Sequence, residues 1–297
     1  MKIAVMGAGA VGCYFGGLLA RGGHDVVLIG RLDLVNAVNT HGLRLESKHF
    51  DGVVPMRAST KADAVSDADV VLFCVKSQDT ASAGALIASH LAPGALVLSM
   101  QNGVDNAERL RKVVVNNRVA AVAVYVAVEM PSAGYVKHHG RGDLVLEPTQ
   151  RSADVAATFS LSDIPTSVSI NLRGELWAKL IINCAYNALS AIANVTYGKL
   201  VQVLGVTDVM NDVVSECLAV VNADGVDVPG DAPAAVRMIA EAMGGQYSST
   251  AQDIARGKLT EIDYLNGFVV QRGAVLGVPT PVNRTLHTIV KIIEAGQ

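Results

Sequence analysis

Gly7-Ala8-Gly9-Ala10-Val11-Gly12 lies between a run that reads as a short buried strand, Lys2-Ile3-Ala4-Val5-Met6, and an apolar helix. A second strand, Asp25-Val26-Val27-Leu28-Ile29, follows through Gly22-Gly23 and ends at Gly30-Arg31. The order strand, GxGxxG, helix, strand is that of a dinucleotide-binding unit, and it restricts the fold more than any other feature of the chain. Each glycine has its own physical task. Gly7 supplies the positive φ of a tight turn out of the strand. Gly9 removes a side chain where the backbone approaches a pyrophosphate, and Gly12 lets the helix lie close on the strand. The helix start then directs N–H groups and partial positive charge at the phosphates. Gly7, Ala8, Gly9, Ala10, Val11 and Gly12 are therefore the expected phosphate cradle. A glycine-rich turn without a ligand has the same composition but no need of this context.

NAD-binding units carry Asp or Glu near the end of the second strand, bonded to the ribose 2′-hydroxyl. Arg31 stands there instead. A carboxylate would repel a 2′-phosphate, whereas a guanidinium meets it with two parallel donors. The expected cofactor is NADPH/NADP. On any other strand the same arginine would read as a solvated surface residue.

The chain has 297 residues, 51% hydrophobic and 17% charged, enough to bury a large core in one or two domains and too apolar for disorder. Its net charge of −3 comes from scattered residues, so neither nucleic acid nor a membrane surface is an expected partner. The longest apolar stretch, residues 119–128, is too short for a bilayer and suits a strand buried on both faces. Met1-Lys2 leads straight into the first strand, so no signal peptide is expected. Cys13, Cys74, Cys184 and Cys217 have no metal-ligand spacing and read as reduced core cysteines of a cytoplasmic protein.

Strand and helix patterns alternate through the first half, with strand candidates near residues 42–45, 53–58, 69–75, 95–100, 119–128, 135–136 and 144–146. This predicts an α/β fold with a doubly wound parallel sheet and an antiparallel addition at its far edge. From residue 175 the periodicity is helical, over 175–193, 208–223, 232–243, 250–256, 261–276 and 282–294. The expected organisation is a Rossmann-type domain over 1–171 and an all-helical domain over 172–297.

Ligands of open parallel sheets sit beyond the carboxyl ends of the strands. Lys76 follows one candidate strand and Asn102 the next. Separately they read equally well as a strand-end lysine and an Asn-Gly turn residue; together at successive strand ends they point to a site. In the first long helix the polar residues Lys179, Asn183 and Asn187 are spaced i, i+4, i+8 and share one face. That stripe faces either solvent or a cleft. A solvated stripe usually carries more charge than one Lys and two Asn, and buried amides need partners, so the pattern favours a cleft. Ser249-Thr250-Ala251-Gln252 fits a capping box with Ser249 as N-cap and Gln252 at N3. Glu261 sits at an expected helix start, where an acid complements the dipole. Taken alone, both read as structural.

Over nearly its whole length the chain resembles the ketopantoate reductase (2-dehydropantoate 2-reductase) family, NADPH-dependent enzymes of pantothenate synthesis. The resemblance rests on Gly7–Gly12, Arg31, Val75-Lys76, Gln101-Asn102-Gly103, Trp177-Ala178-Lys179 with Asn183 and Asn187, Ser248-Ser249, Gln252-Asp253 and Thr260-Glu261-Ile262-Asp263-Tyr264. It implies a Rossmann-type domain followed by a helical domain, and reduction of a small 2-oxo acid by hydride transfer. It implies Lys179 as the general acid, Asn183, Asn187 and Ser249 as substrate ligands, and Asn102 and Ala127 near the nicotinamide. It further implies Glu261 beside cofactor and substrate, Lys76 in the same crevice and Arg31 on the 2′-phosphate. Two substrate-pocket positions where the family carries asparagine are Tyr197 and Gln246 here. They leave open a related reductase of another branched 2-oxo acid. A non-catalytic NADPH-binding redox sensor is the alternative from a different class; it would not need the Lys179 stripe. A monomer and a homodimer are both compatible with the sequence.

Overall fold

The structure is a computed structural model and describes residues 1–296. The chain divides into two compact units, Met1–Gln101 with Asp105–Leu172, and Asn102–Val104 with Arg173–Gln297.

The first unit contains β1 (Lys2–Met6), α1 (Ala10–Arg21), β2 (Asp25–Ile29), α2 (Leu32–His41), β3 (Leu43–Glu46), β4 (Asp51–Val54) and β5 (Arg57–Ser59). It continues with β6 (Val70–Phe73), α3 (Thr80–Ala88), β7 (Leu96–Ser99), α4 (Asn106–Arg111), β8 (Arg118–Ser132), β9 (Tyr135–Leu146), α5 (Ser152–Ser160) and β10 (Thr166–Val168). One sheet takes the order β4-β3-β9-β8-β7-β6-β1-β2-β5, with β10 beside β9. The strands from β8 through β5 pair in parallel, β8 with β9 is antiparallel, β9 with β3 parallel and β3 with β4 antiparallel. β1 lies between β2 and β6, so the chain order reverses at β1, and the glycine loop leaves its carboxyl end.

Burial of both faces explains why β1 is apolar from Ile3 to Met6. Ile3 and Val5 pack in one cluster with Phe15, Leu19 and Leu28, while Ala4 and Met6 pack in another with Phe73, Ile87 and Leu110. With helices on both faces, neither side of the strand meets water.

β8 changes partners along its length. Residues 118–121 pair with β7, and residues from Val122 onward pair with β9, through three register shifts. The two short segments read near 135–136 and 144–146 are therefore ends of one bulged strand, β9. Its irregularity is local: Arg141 has φ 57 and Gly142 φ 145. The run 53–58, read as one strand, is two. β4 ends before Pro55, which has no N–H for a ladder, and β5 joins the opposite edge of the sheet beside β2.

The second unit contains α6 (Leu172–Ala193), α7 (Tyr197–Leu200), α8 (Val206–Ala223), α9 (Ala232–Ala242), α10 (Ser249–Ala255), α11 (Asn266–Leu276) and α12 (Pro281–Ala295). By length and composition α6 could cross a membrane, but 61% of its most apolar window is buried inside the protein, as in a core helix. Trp177, Ile181, Cys184, Ala185 and Ala188 are fully buried along it. The helix expected over 261–276 is broken. A 3-10 turn at Ile262–Tyr264 precedes α11, and Leu265 between them has φ −110 and ψ −105. Asn266 then starts α11, its buried amide donating to the Cys184 carbonyl at 3.2 Å and to Asn283 Oδ1 at 2.9 Å.

Gly7 has φ +98, and a Cβ there would lie 2.6 Å from the Val75 nitrogen. A Cβ on Gly12 would lie 2.5 Å from the Gly7 carbonyl oxygen, whereas one on Gly9 would meet nothing within 4 Å. Gly12→Ala is expected to cost at least about 2 kcal/mol in a urea titration, within the range for overpacking. Gly9→Ala should cost under about 1 kcal/mol, the scale of an N-cap change. Equal losses would contradict this division of tasks.

Candidate functional site

In the first unit the glycine loop is fixed from behind. The N–H groups of Gly7 and Ala8 both donate to the Ile29 carbonyl, at 3.1 and 3.0 Å, which ties the loop to the end of β2. Gly30 comes so close that a Cβ on it would sit 2.9 Å from that of Ala8. Arg31 follows at once as the N-cap residue of α2 and is exposed, its side chain making no hydrogen bond or ion pair among the described residues. The first turn of α1 has no capping side chain and no acidic residue. A helix start in this state suits an anion.

The two strand ends after β6 and β7 are joined by a buried polar network that the sequence did not reveal. Gln101 donates to the Val75 carbonyl at 3.2 Å and to Thr80 Oγ1 at 2.8 Å, and accepts from Ser99 at 3.0 Å. Asn106 accepts from Thr80 and donates to Ser77 Oγ, while Arg109 donates to the Ser77 carbonyl and to Asn106. These bonds fix the turn carrying half-buried Lys76. Ser99 and Gln101, closing an otherwise apolar run, were the available signal. Ala127 lies in β8 opposite Gly140, between two of the register shifts.

In the second unit Lys179, Asn102 and Glu261 form one chain. Lys179 Nζ donates to Asn102 Oδ1 at 3.0 Å, and Asn102 Nδ2 donates to Glu261 Oε2 at 3.3 Å. Glu261 is only 7% exposed. Residues far apart in sequence thus assemble a cation, an amide and a carboxylate. This arrangement can supply a proton and stabilise negative charge.

One turn and two turns further along α6 come Asn183 and Asn187. Asn183 is half-buried and makes no hydrogen bond through its side chain among the described residues. Asn187 is 2% exposed; its Nδ2 donates to Ser249 Oγ at 3.4 Å, and its Oδ1 accepts from the Tyr197 hydroxyl at 3.3 Å. Burial pushes the Tyr197 phenol up, so it stays protonated. Gln246 is beside Tyr197, its carbonyl accepting the Tyr197 N–H at 3.0 Å. The two positions that depart from the family pattern are therefore neighbours.

The capping assignment at α10 is corrected by one residue. Ser248 is the N-cap: its Oγ accepts from the Ala251 N–H at 3.0 Å and donates to the Asn187 carbonyl at 3.1 Å. Ser248 is buried and Ser249 exposed, so Ser249 is released from the capping task. Two adjacent serines made the register ambiguous from sequence.

Glu261 is not on a regular helix start; it precedes the 3-10 turn, and that turn is held by α12. The Thr260 N–H and Oγ1 both donate to Glu294 Oε1, at 2.8 and 2.6 Å. Lys291 bridges Glu294 and Asp263 at 2.6 and 3.0 Å, and His287 meets Asp263 at 2.7 Å. Burial alone would raise both carboxyls, but Lys291 and Thr260 on Glu294, and His287 and Lys291 on Asp263, outweigh it and hold both low. Such carboxyls stabilise the fold above their unfolded values, and that contribution is lost as pH falls through the folded values. Urea midpoints should therefore drop as pH falls below about 4.5, and Glu294→Gln should flatten the drop. Parallel curves for variant and parent would contradict the clamp.

Similarity to known proteins extends over nearly the whole chain. The family model described as ketopantoate reductase PanE/ApbA matches residues 3–151, and its C-terminal counterpart matches residues 171–294. A 2-dehydropantoate 2-reductase of Halobacterium salinarum is 33% identical, with 99% of each chain covered. A PanE/ApbA family ketopantoate reductase from Ralstonia eutropha JMP134 superposes with a TM-score of 0.97 at 56% identity, covering 100% of this chain and 99% of that one. A D-mandelate dehydrogenase solved with NADH and anilino(oxo)acetate superposes with a TM-score of 0.92 at 25% identity, covering 100% and 99%. The chain belongs to the ketopantoate reductase PanE/ApbA family.

Proposed function

We propose that this protein reduces 2-dehydropantoate to pantoate with NADPH, and that Lys179 is the proton donor. The observation that carries the reading is the hydrogen-bonded chain Lys179–Asn102–Glu261 in a member of this family. Bound NADPH supplies the hydride that goes to the ketone carbon. The first unit fits such a cofactor: an uncapped helix start at Gly9, open space around it, and, two residues beyond the β2 end that anchors the loop, an exposed Arg31 side chain without a partner among the described residues.

The residues of the second unit then have the following work. Asn102 holds the Lys179 ammonium by its Oδ1. As negative charge builds on the ketone oxygen, Lys179 stabilises it and gives up a proton to form the hydroxyl of the product. Glu261 keeps the Asn102 amide oriented by accepting from its Nδ2. Asn183, Asn187 and Ser249 present amide and hydroxyl groups to the acid. Arg31 binds the 2′-phosphate, which supports NADPH over NADH. Lys76 and Ala127 line the cofactor side. A redox sensor without turnover would have no use for the Lys179 chain.

A second reading, reduction of another branched 2-oxo acid, is supported by Tyr197 and Gln246, which alter the substrate side and leave the cofactor side intact. Initial rates over a panel of branched 2-oxo acids separate the two.

Lys179→Ala is expected to lower kcat with 2-dehydropantoate by at least about 100-fold, the lower range for general acid catalysis, with NADPH affinity nearly unchanged. Turnover that survives would remove the assignment. Arg31→Asp is expected to weaken NADPH binding far more than NADH binding, measured by cofactor fluorescence titration. An equal loss for the two cofactors would refute the 2′-phosphate role.

A further inference from the structure

Tyr197, Asn187 and Ser249 form a hydrogen-bond chain that runs from the phenol through the amide to the serine hydroxyl. A carbonyl oxygen only accepts, so Asn187 Oδ1 takes the phenolic proton of Tyr197 at 3.3 Å. That fixes the amide plane and directs Nδ2 to Ser249 Oγ at 3.4 Å. Ser249 therefore accepts from Asn187, and its own proton is left to donate elsewhere. Ser248 rather than Ser249 caps α10, and Ser249 is exposed, so neither the helix nor burial uses that proton.

The chain is held at both ends. Tyr197 packs against Tyr186 with ring centroids 4.7 Å apart, and its N–H is bonded to the Gln246 carbonyl. Ser248 ties the start of α10 to the Asn187 carbonyl at 3.1 Å, and its N–H donates to Ser190 Oγ at 3.2 Å. Burial keeps the Tyr197 phenol protonated. Linked hydrogen bonds polarise one another, so each donor strengthens the next.

We infer that Tyr197 is a positioning residue: acting through Asn187, it commits the Ser249 hydroxyl to donate to an acceptor oxygen of the bound 2-oxo acid. This rests on the reductase reading above and explains one of the two departures from the family pattern. At this position the tyrosine supplies a hydroxyl that donates to Asn187 Oδ1.

The test is a double-mutant cycle on KM for 2-dehydropantoate with saturating NADPH. Tyr197→Phe keeps the ring against Tyr186 and removes only the donor. It should raise KM about fivefold, the scale of one hydrogen bond, with kcat changed less than KM and NADPH affinity unaltered. Ser249→Ala should raise KM by about tenfold, as for a hydrogen bond to a charged group. In the Ser249→Ala background, Tyr197→Phe should have little further effect. Independent, multiplying effects would overturn the inference, because a tyrosine that only packs would act equally in both backgrounds. A Tyr197→Phe enzyme with parental KM would overturn it as well. If the parent enzyme fails to oxidise NADPH with any 2-oxo acid, the reductase reading falls and this inference with it.

Discussion

A fully buried amide on a core helix is tolerable only if it finds partners, and the second unit supplies them to Asn187. An unpaired buried amide costs about 1–3 kcal/mol, so Asn187 alone demands two partners, and Tyr197 and Ser249 provide them. Asn102 serves Lys179 and Glu261 at once. Behind them Thr260 is satisfied by Glu294, the Asn266 Nδ2 is taken up by Asn283, and the α12 start by Glu216, whose carboxylate accepts from the Val282 and Asn283 N–H groups. The same groups that keep the interior paired also hold the site in one arrangement. Preorganisation for chemistry and satisfaction of buried polarity are one property here.

The first unit meets a different constraint, close approach of backbone to backbone. Where Gly7 faces Cys74 and Val75, and Gly12 faces Gly7, no Cβ fits. The bend leaves first-turn N–H groups of α1 pointing outward with no acid or cap to occupy them. The result is a positively polarised surface made without a basic residue, completed by a single guanidinium at Arg31. Such a surface would suit phosphates through geometry rather than net charge, in a chain whose overall charge is −3.

Local signals carried much of this into the sequence. Glycine spacing marked the loop because its cause is steric and lies within a few residues. The i, i+4, i+8 spacing marked Lys179, Asn183 and Asn187 because a helix fixes its own faces. What pairs those groups was not legible: Asn102 and Glu261 lie far along the chain in either direction, and only tertiary packing joins them to Lys179. The Ser248/Ser249 register was lost for a smaller reason, since two adjacent hydroxyls satisfy the same capping rule and only burial separates them. The break at Leu265 was hidden because residues 261–276 keep a helical period, while the Asn266 amide, by bonding to Cys184 and Asn283, starts a new helix there. Pro55 was visible, but its effect, sending two halves of one run to opposite sheet edges, depends on the order of the whole sheet.

The dual pairing of β8 bears on how the chain reaches this state. Its distal part meets β9 through a two-residue connection, Ser132 opposite Tyr135 with Gly134 at φ 76. Its proximal part meets β7, and the central pair β1–β6 joins Ile3 to Val70. Closing a hairpin costs far less loop entropy than bringing residues this far apart together. The β8–β9 ribbon therefore closes at little cost in loop entropy, and the stub of β8 that extends from it is the part that pairs with β7. The parallel core, including the strand that carries the glycine loop, must wait for non-local closure. The glycine loop at the end of β1 is fixed on one side by the shorter closure to β2, Lys2 to Asp25, and on the other only when β6 arrives, Ile3 to Val70.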